Sequence, residues 1–276
     1  MVLIVTIAPL HYVLMASLST ATQVFQRPFL FLPAGFTLGN YLLVLKNPII
    51  WSGYGNSILY LVIGVLINLA MTVLAAYPLS RKELAGRRII LKLLVLTMYL
   101  SGGMIPTYLV VRGLGLRDSL WAMVLPCAVN AFMIFVSISF FENTIPLEVQ
   151  ESATIDGCTN MQILLRIILP LSVPLLGVLA LQYGLGHWNA YAQALIYLQT
   201  RSRFPLQLVL REILVKIDSQ TMLSMLSRTD DYETMTNMKE GVKHVSMVVT
   251  SLPLLVVYPY LRRFFETGMT LGAVKE

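Results

Sequence analysis

Charged residues are scarce in this chain: they make up 12% of its 276 residues, where a soluble domain carries about a quarter. That shortage excludes an ordinary water-soluble domain, because the apolar residues, 57% of the total, come in long unbroken runs. Cysteine is nearly absent. Cys127 lies inside an apolar run and Cys158 in a polar stretch, with no CxxC spacing, so neither a disulfide framework nor a zinc site is supported. His11, His187 and His244 stand apart from one another. With no HExxH, no GxSxG elbow and no His/Cys/acid cluster, the chain lacks the means for hydrolysis and is not an enzyme. A GxxxxGK[ST] loop is also missing, so this chain cannot itself cradle the phosphates of ATP. No acid falls in the middle of an apolar run, which argues against the buried carboxylates of an ion-coupled secondary transporter. The net charge of +6 brings no nucleic-acid partner, since the basic residues are scattered beside the apolar runs without a basic, aromatic-laced stripe.

What is present is hydrophobic length. Mean hydropathy is +0.73, and runs of about 18 or more apolar residues suffice to cross about 30 Å of hydrocarbon. The best windows are Val2–Thr20, Ser57–Leu79, Ile89–Val111, Ser119–Phe141, Leu169–Trp188 and His244–Phe264. The chain is expected to be an all-α integral membrane protein of about six transmembrane helices, forming one domain over residues 1–276. No basic region precedes the first run, so it reads as an uncleaved span rather than a signal peptide. Ser101, Gly102, Gly103 and Pro106 interrupt the third window, and Pro170 and Pro174 open the fifth. Such breaks are tolerated where protein or water meets the freed backbone groups, and small residues also suit close helix packing.

Arg81, Lys82, Arg87 and Arg88 outweigh Glu83 in one short loop, and Arg262 and Arg263 end the last window. Placing both clusters in the cytoplasm puts both termini and the loop at about 142–168 inside, and the loop at about 189–243 outside. Arg112 and Arg117 then lie outside, and the 142–168 loop is acidic rather than basic, so the charge rule is met in part.

The 142–168 segment is too polar to span and too patterned for a linker. Asn143 or Thr144 can cap a short helix with Pro146 in its first turn and Glu148 early. Gly157 is a natural stop. Thr159 or Asn160 can start a second helix, with Met161, Leu164, Leu165 and Ile168 on one face.

Within this helix–Gly–helix bracket, Glu151, Ser152, Ala153, three residues, Gly157, nine residues, Ile167, one residue, then Leu169 and Pro170 resemble the cytoplasmic signature of ABC importer permeases. Its second position, usually alanine, is Ser152 here, which keeps a small side chain. Elsewhere Gly55, Asn56 and Ser57, the stretch Ser101–Tyr108, Trp188 with Asn189, and Pro205–Leu208 are similar to carbohydrate-uptake permeases of the maltose-system type and its polysaccharide branch. The resemblance implies a type I permease fold in a bacterial plasma (inner) membrane, with a coupling helix that meets an ATPase. Contact would involve Glu151, Ser152, Ala153, Asp156, Gly157, Ile167, Leu169 and Pro170. It further implies a second homologous permease, an ATPase dimer that holds ATP and Mg2+, an extracytoplasmic substrate-binding protein, and an oligosaccharide or polysaccharide fragment as cargo. The bracket itself is shared with importers of other solutes.

Sugars are held by aromatic faces, amides and hydroxyls. Gln182, Tyr183, His187, Trp188, Asn189 and Tyr191 offer these at the end of the fifth window, and Asn68 and Asn130 are polar residues within apolar runs. For Trp188 and Tyr191 an interfacial aromatic belt is the alternative.

Overall fold

The computed structural model describes residues 2–27, 29–227, 239–253 and 255–256, and among them every regular element is helical. In chain order these are α1 (Val2–Ser17), α2 (Ala21–Gln26), α3 (Gly39–Leu45), α4 (Pro48–Ser80), α5 (Arg87–Tyr99), α6 (Met104–Gly113), α7 (Leu120–Val124) and α8 (Ala131–Thr144). There follow α9 (Leu147–Ile155), α10 (Asn160–Ile163), α11 (Leu169–Leu171), α12 (Val173–Trp188), α13 (Tyr191–Tyr197) and α14 (Leu206–Ser227). Residues 239–253 are helical as well. The sixth window beyond residue 256, the Arg262 and Arg263 pair, and residues 228–238 of the long external loop lie outside the described residues.

The 33-residue α4 is the one described helix long and apolar enough to cross a membrane alone. At about 1.5 Å per residue it is longer than a hydrocarbon core of about 30 Å. Only 28% of its most apolar stretch is buried in the protein, so the helix is hydrophobic on faces that none of the described residues covers.

The third, fourth and fifth windows differ from the single straight spans that the sequence suggests. Each is a pair of helices bent at a short break: α5 and α6 by 113°, Leu120–Cys127 and α8 by 54°, and Asn160–Leu171 and α12 by 81°. The causes are local. Gly103 sits at φ 81° and ψ −179°, a conformation essentially reserved for glycine, and its N–H is bonded by the Ser101 Oγ. Pro106 then falls in the first turn of α6, where a missing N–H costs nothing. In the fourth window Pro126 tightens Leu125–Cys127 into a 3-10 turn, and the Asn130 Oδ1 accepts from the Met133 N–H to restart the helix as α8. In the fifth, the chain turns at Ser172, whose buried Oγ donates to the Ile168 carbonyl, and Pro174 opens α12.

By their contacts the described residues form two compact units, 2–57 with 200–256, and 58–199. In the first, the Ser19 Oγ donates to the Met15 carbonyl and accepts from the Ala34 N–H, tying the chain after α1 to the cluster of Ala16, Val24, Leu30 and Ala34. The Asn56 amide donates to the carbonyls of Ser202 and Phe204, and the Ser57 Oγ accepts the Leu206 N–H at the start of α14. Gly53 permits this approach, since a Cβ there would stand 3.1 Å from the Leu206 Cα.

The second unit centres on the later half of α4, with α8, α9, the 160–171 helix and α12. Ala76, Ile134, Ile163, Ile168 and Leu179 are buried at its middle. By contrast α5 buries none of its residues.

Candidate functional site

Two places in the second unit gather the residues singled out by sequence. The first is the bracket. α9 begins after Pro146, not at Asn143 or Thr144, which remain in the last turn of α8. The reason is that the Phe140–Thr144 stretch continues the α8 helix, and Pro146 with its extended ψ of 137° starts the next. Glu148 occupies the first turn, where a carboxylate complements the helix dipole.

Its end is a complete Schellman stop. Gly157, at φ 82°, donates its N–H to the Thr154 carbonyl, and the Cys158 N–H reaches the Ala153 carbonyl. Thr159 then caps α10 in a reciprocal box with Gln162. Helix, glycine stop and capped helix follow one another with no spare residue, which sets the bracket's angle by backbone bonding alone.

The second arm is not a plain α-helix. Leu164–Ile168 forms a π turn, and the Leu169 N–H bonds to the Leu164 carbonyl five residues back. Pro170 supplies the cause: it has no N–H for the Arg166 carbonyl, and widening the turn relieves its ring. The extra residue shifts the packed face. Ile163, Leu164 and Ile168 are buried, whereas Met161 and Leu165, expected beside Leu164 and Ile168, are exposed.

Of the signature residues, Ala153 is buried against the core, and Ile167 and Leu169 pack partly against it. Glu151, Ser152, Asp156, Gly157 and Pro170 are exposed. Ile155 is 87% exposed, a large apolar side chain offered on the outer surface of α9. Beside it runs a groove of about 860 Å3, lined by Tyr77, Arg81, Glu83, Gln150, Glu151 and Met161 among others. Arg87 braces the same end of the unit, donating from Nε to the Leu79 carbonyl and pairing with Glu142.

The second place is a polar seam between α4 and α12. Gly64, Asn68 and Thr72 recur every four residues and so share one face of α4. Tyr183 and His187 are likewise four apart on α12. The Thr72 and Tyr183 hydroxyls share a hydrogen bond of 2.7 Å, and the His187 Nε2 lies 2.7 Å from the Asn68 Oδ1. Gly64 makes room for the imidazole: a Cβ there would fall 2.3 Å from Nε2. The Asn68 Nδ2 donates to the Cys127 carbonyl at the break before α8, satisfying a backbone group that a straight helix would have satisfied itself.

On the far side of His187 is a cavity of about 470 Å3, whose lining includes Cys127, Asn130, Gln182, Tyr183, His187 and Gln193. Thus Asn130, Gln182, Tyr183 and His187 are brought together, with Asn68 directly behind. Trp188, Asn189 and Tyr191 do not line it. Trp188 is 2% exposed, the Asn189 amide returns to the Leu185 carbonyl, and Tyr191 is exposed on α13. Residue-type reasoning missed Gly64, Thr72, Cys127 and Gln193; the four-residue spacing of Gly64, Asn68 and Thr72 was the signal that pointed to two of them.

No family model matches the sequence. Over 274 residues the chain is 40% identical to Protein LplC of Bacillus subtilis (strain 168), covering 98% of this chain and 90% of that protein. It is 38% identical over 274 residues to the polygalacturonan/rhamnogalacturonan transport system permease protein YtcP of the same organism, covering 99% of this chain and 93% of that protein. Among solved structures it superimposes with a TM-score of 0.82, at 30% identity, on a chain from a bacterial ABC transporter involved in the import of the acidic polysaccharide alginate, covering 95% of this chain and 91% of that one.

Proposed function

Because the chain belongs to the permease subunits of carbohydrate-uptake ABC transporters, we propose that it forms half of the translocation pathway for an oligosaccharide or polysaccharide fragment. In this reading it is a single permease domain of about six spans, of which α4 and the three bent pairs are four, with both termini cytoplasmic. It pairs with a second homologous permease. A substrate-binding protein delivers cargo from outside, and an ATPase dimer, holding ATP and Mg2+, drives the cycle from the cytoplasm.

The observation that carries the proposal is the bracket. A coupling element has to transmit displacement without absorbing it, and α9 is locked at its end by the Gly157 stop and the Thr159–Gln162 box. Its inner face is anchored through Ala153, while Glu151 and Ile155 are left outward for a partner. Movement of the bracket then reaches α12 directly, because the 160–171 helix abuts it at Ser172. Alternating access is a balance between two packings, which the ATPase shifts only as far as it binds one better than the other.

The seam between α4 and α12 supplies the pathway side of this reading. Asn130, Gln182, Tyr183 and His187 give amide, hydroxyl and imidazole groups around one cavity, the chemistry that sugar hydroxyls need.

The test is ATP hydrolysis by the reconstituted complex with binding protein and oligosaccharide, comparing the native chain with Glu151→Lys combined with Gly157→Pro. Sugar-stimulated hydrolysis is expected to disappear while the subunits still copurify. Normal hydrolysis and uptake in the doubly changed complex would remove the bracket as the coupling element.

A further inference from the structure

The cavity beside His187 has a donor and acceptor pattern that can be read atom by atom. The Cys127 carbonyl can only accept, so the Asn68 amide must turn its NH2 there and its Oδ1 toward His187. An acceptor at 2.7 Å from Nε2 requires the ring to carry its proton on Nε2. The other nitrogen, Nδ1, bonds to no described residue, and in the neutral ring it is an acceptor. Around it, Asn130 uses its Oδ1 to cap α8 and keeps its NH2 for the cavity. Gln193 donates its NH2 to the Cys127 Sγ and keeps its Oε1. Gln182 supplies both kinds of group.

Among the described residues no Asp, Glu, Lys or Arg is in this lining. We propose that the cavity is a hydroxyl-reading subsite for an uncharged sugar unit, with His187 a hydrogen-bond acceptor in it and Asn68 the positioning residue that fixes the ring's tautomer. This rests on the chain being a saccharide permease and adds which part of the saccharide the subsite accepts. A sugar hydroxyl can donate to Nδ1, whereas the carboxylate of a uronic acid can only accept and meets a lone pair. The subsite therefore disfavours a carboxylate as long as the imidazole is neutral. Protonation at Nδ1 turns that acceptor into a charged donor and removes the discrimination.

The titratable groups facing the ring are few. The 126–133 segment contributes Cys127, and the 182–193 segment contributes Tyr183 besides His187 itself. The packed face of α4 brings Gly64, Asn68 and Thr72, none of which ionises. Thiols and phenols as classes ionise on the alkaline side of imidazole, so among the described groups His187 is the one that gains charge as pH falls.

The experiment measures uptake of a neutral and a uronate-bearing oligosaccharide of equal length by the full complex in proteoliposomes, with one binding protein throughout so that its own preference cancels between variants. Lowering pH from about 7.5 to about 4.5 runs well below the range of an ordinary histidine, as an imidazole packed between helices requires. In the native complex the uptake ratio should move toward the uronate by about threefold to tenfold, the effect of one hydrogen bond gained or lost. In His187→Gln, whose amide can donate to Asn68 and still offer an oxygen, the ratio should not respond to pH, whatever the fall in neutral uptake. Asn68→Ala, which frees the ring to adopt either tautomer, should raise uronate uptake at about pH 7.5 relative to the native complex. A ratio that ignores pH in the native complex, or one that shifts equally in His187→Gln, overturns the proposal. If neither sugar is taken up by the native complex, the saccharide-permease reading itself fails, a result distinct from an unchanged ratio.

Discussion

At the scale of single residues, the bracket turns on one backbone conformation that side chains resist. Gly157 at φ 82° closes α9, and replacing it with alanine adds the left-handed penalty of about 1–2 kcal/mol. The Thr159 cap is worth about 1 kcal/mol more. Gly157→Ala and Thr159→Ala are therefore each expected to weaken sugar-stimulated hydrolysis while leaving membrane insertion unchanged, and a parallel loss of insertion would show that they act on folding instead. Gly64 behaves differently, since its constraint is space rather than φ. Gly64→Val would push the His187 ring off Asn68, so it should reproduce the altered neutral-to-uronate ratio of Asn68→Ala. A Gly64→Val complex with native selectivity would detach the ring's position from the subsite.

Among the elements, the bent helices are where sequence pattern and structure part most clearly. Apolar composition marks Ile89–Val111 as one span, but the Ser101, Gly102 and Gly103 run lets the backbone turn by 113° between α5 and α6. Gly103, in a region that only glycine enters readily, should cost about 1–3 kcal/mol when changed to alanine, read as a lower melting temperature of the detergent-purified complex. The π turn at Leu164–Ile168 traces to Pro170. In Pro170→Ala an N–H returns for the Arg166 carbonyl, and the segment should relax toward regular α-helix. Hydrogen exchange at residues 164–171 should slow, and coupling should fall because Ile163 and Ile168 lose their shared buried face. Unchanged exchange there would mean that tertiary packing, and not the proline, imposes the wide turn.

For the molecule as a whole, the exposed apolar surface decides what solvent it needs. α5 buries nothing, yet Leu93 is 56% and Leu96 50% exposed. Contiguous apolar exposure of this kind is covered by lipid or by another subunit. Leu93→Lys should cost about 2.5–3.5 kcal/mol of insertion if that position lies mid-membrane. Ile155→Lys on the bracket, at a residue 87% exposed, should leave insertion intact and reduce sugar-stimulated hydrolysis. Membrane fractionation and hydrolysis measured on the same two variants separate the roles, and loss of insertion in Ile155→Lys would put that residue in lipid rather than against a partner.

Composition alone marked this as a helical membrane chain, because burial in lipid demands apolar length. Spacing alone placed a helix stop at Gly157 and a start at Thr159 or Asn160, since local backbone bonding obeys short-range rules. What sequence left undetermined depends on residues far apart in the chain. Only the fold could show that Trp188 is buried, and that Asn68 faces both Cys127 and His187. Only the fold could show that the breaks before α6, α8 and α12 bend the helices sharply. The physical reason is that a polar group inside an apolar run advertises a need for a partner but not which one, and that choice is made by the packing of helix against helix.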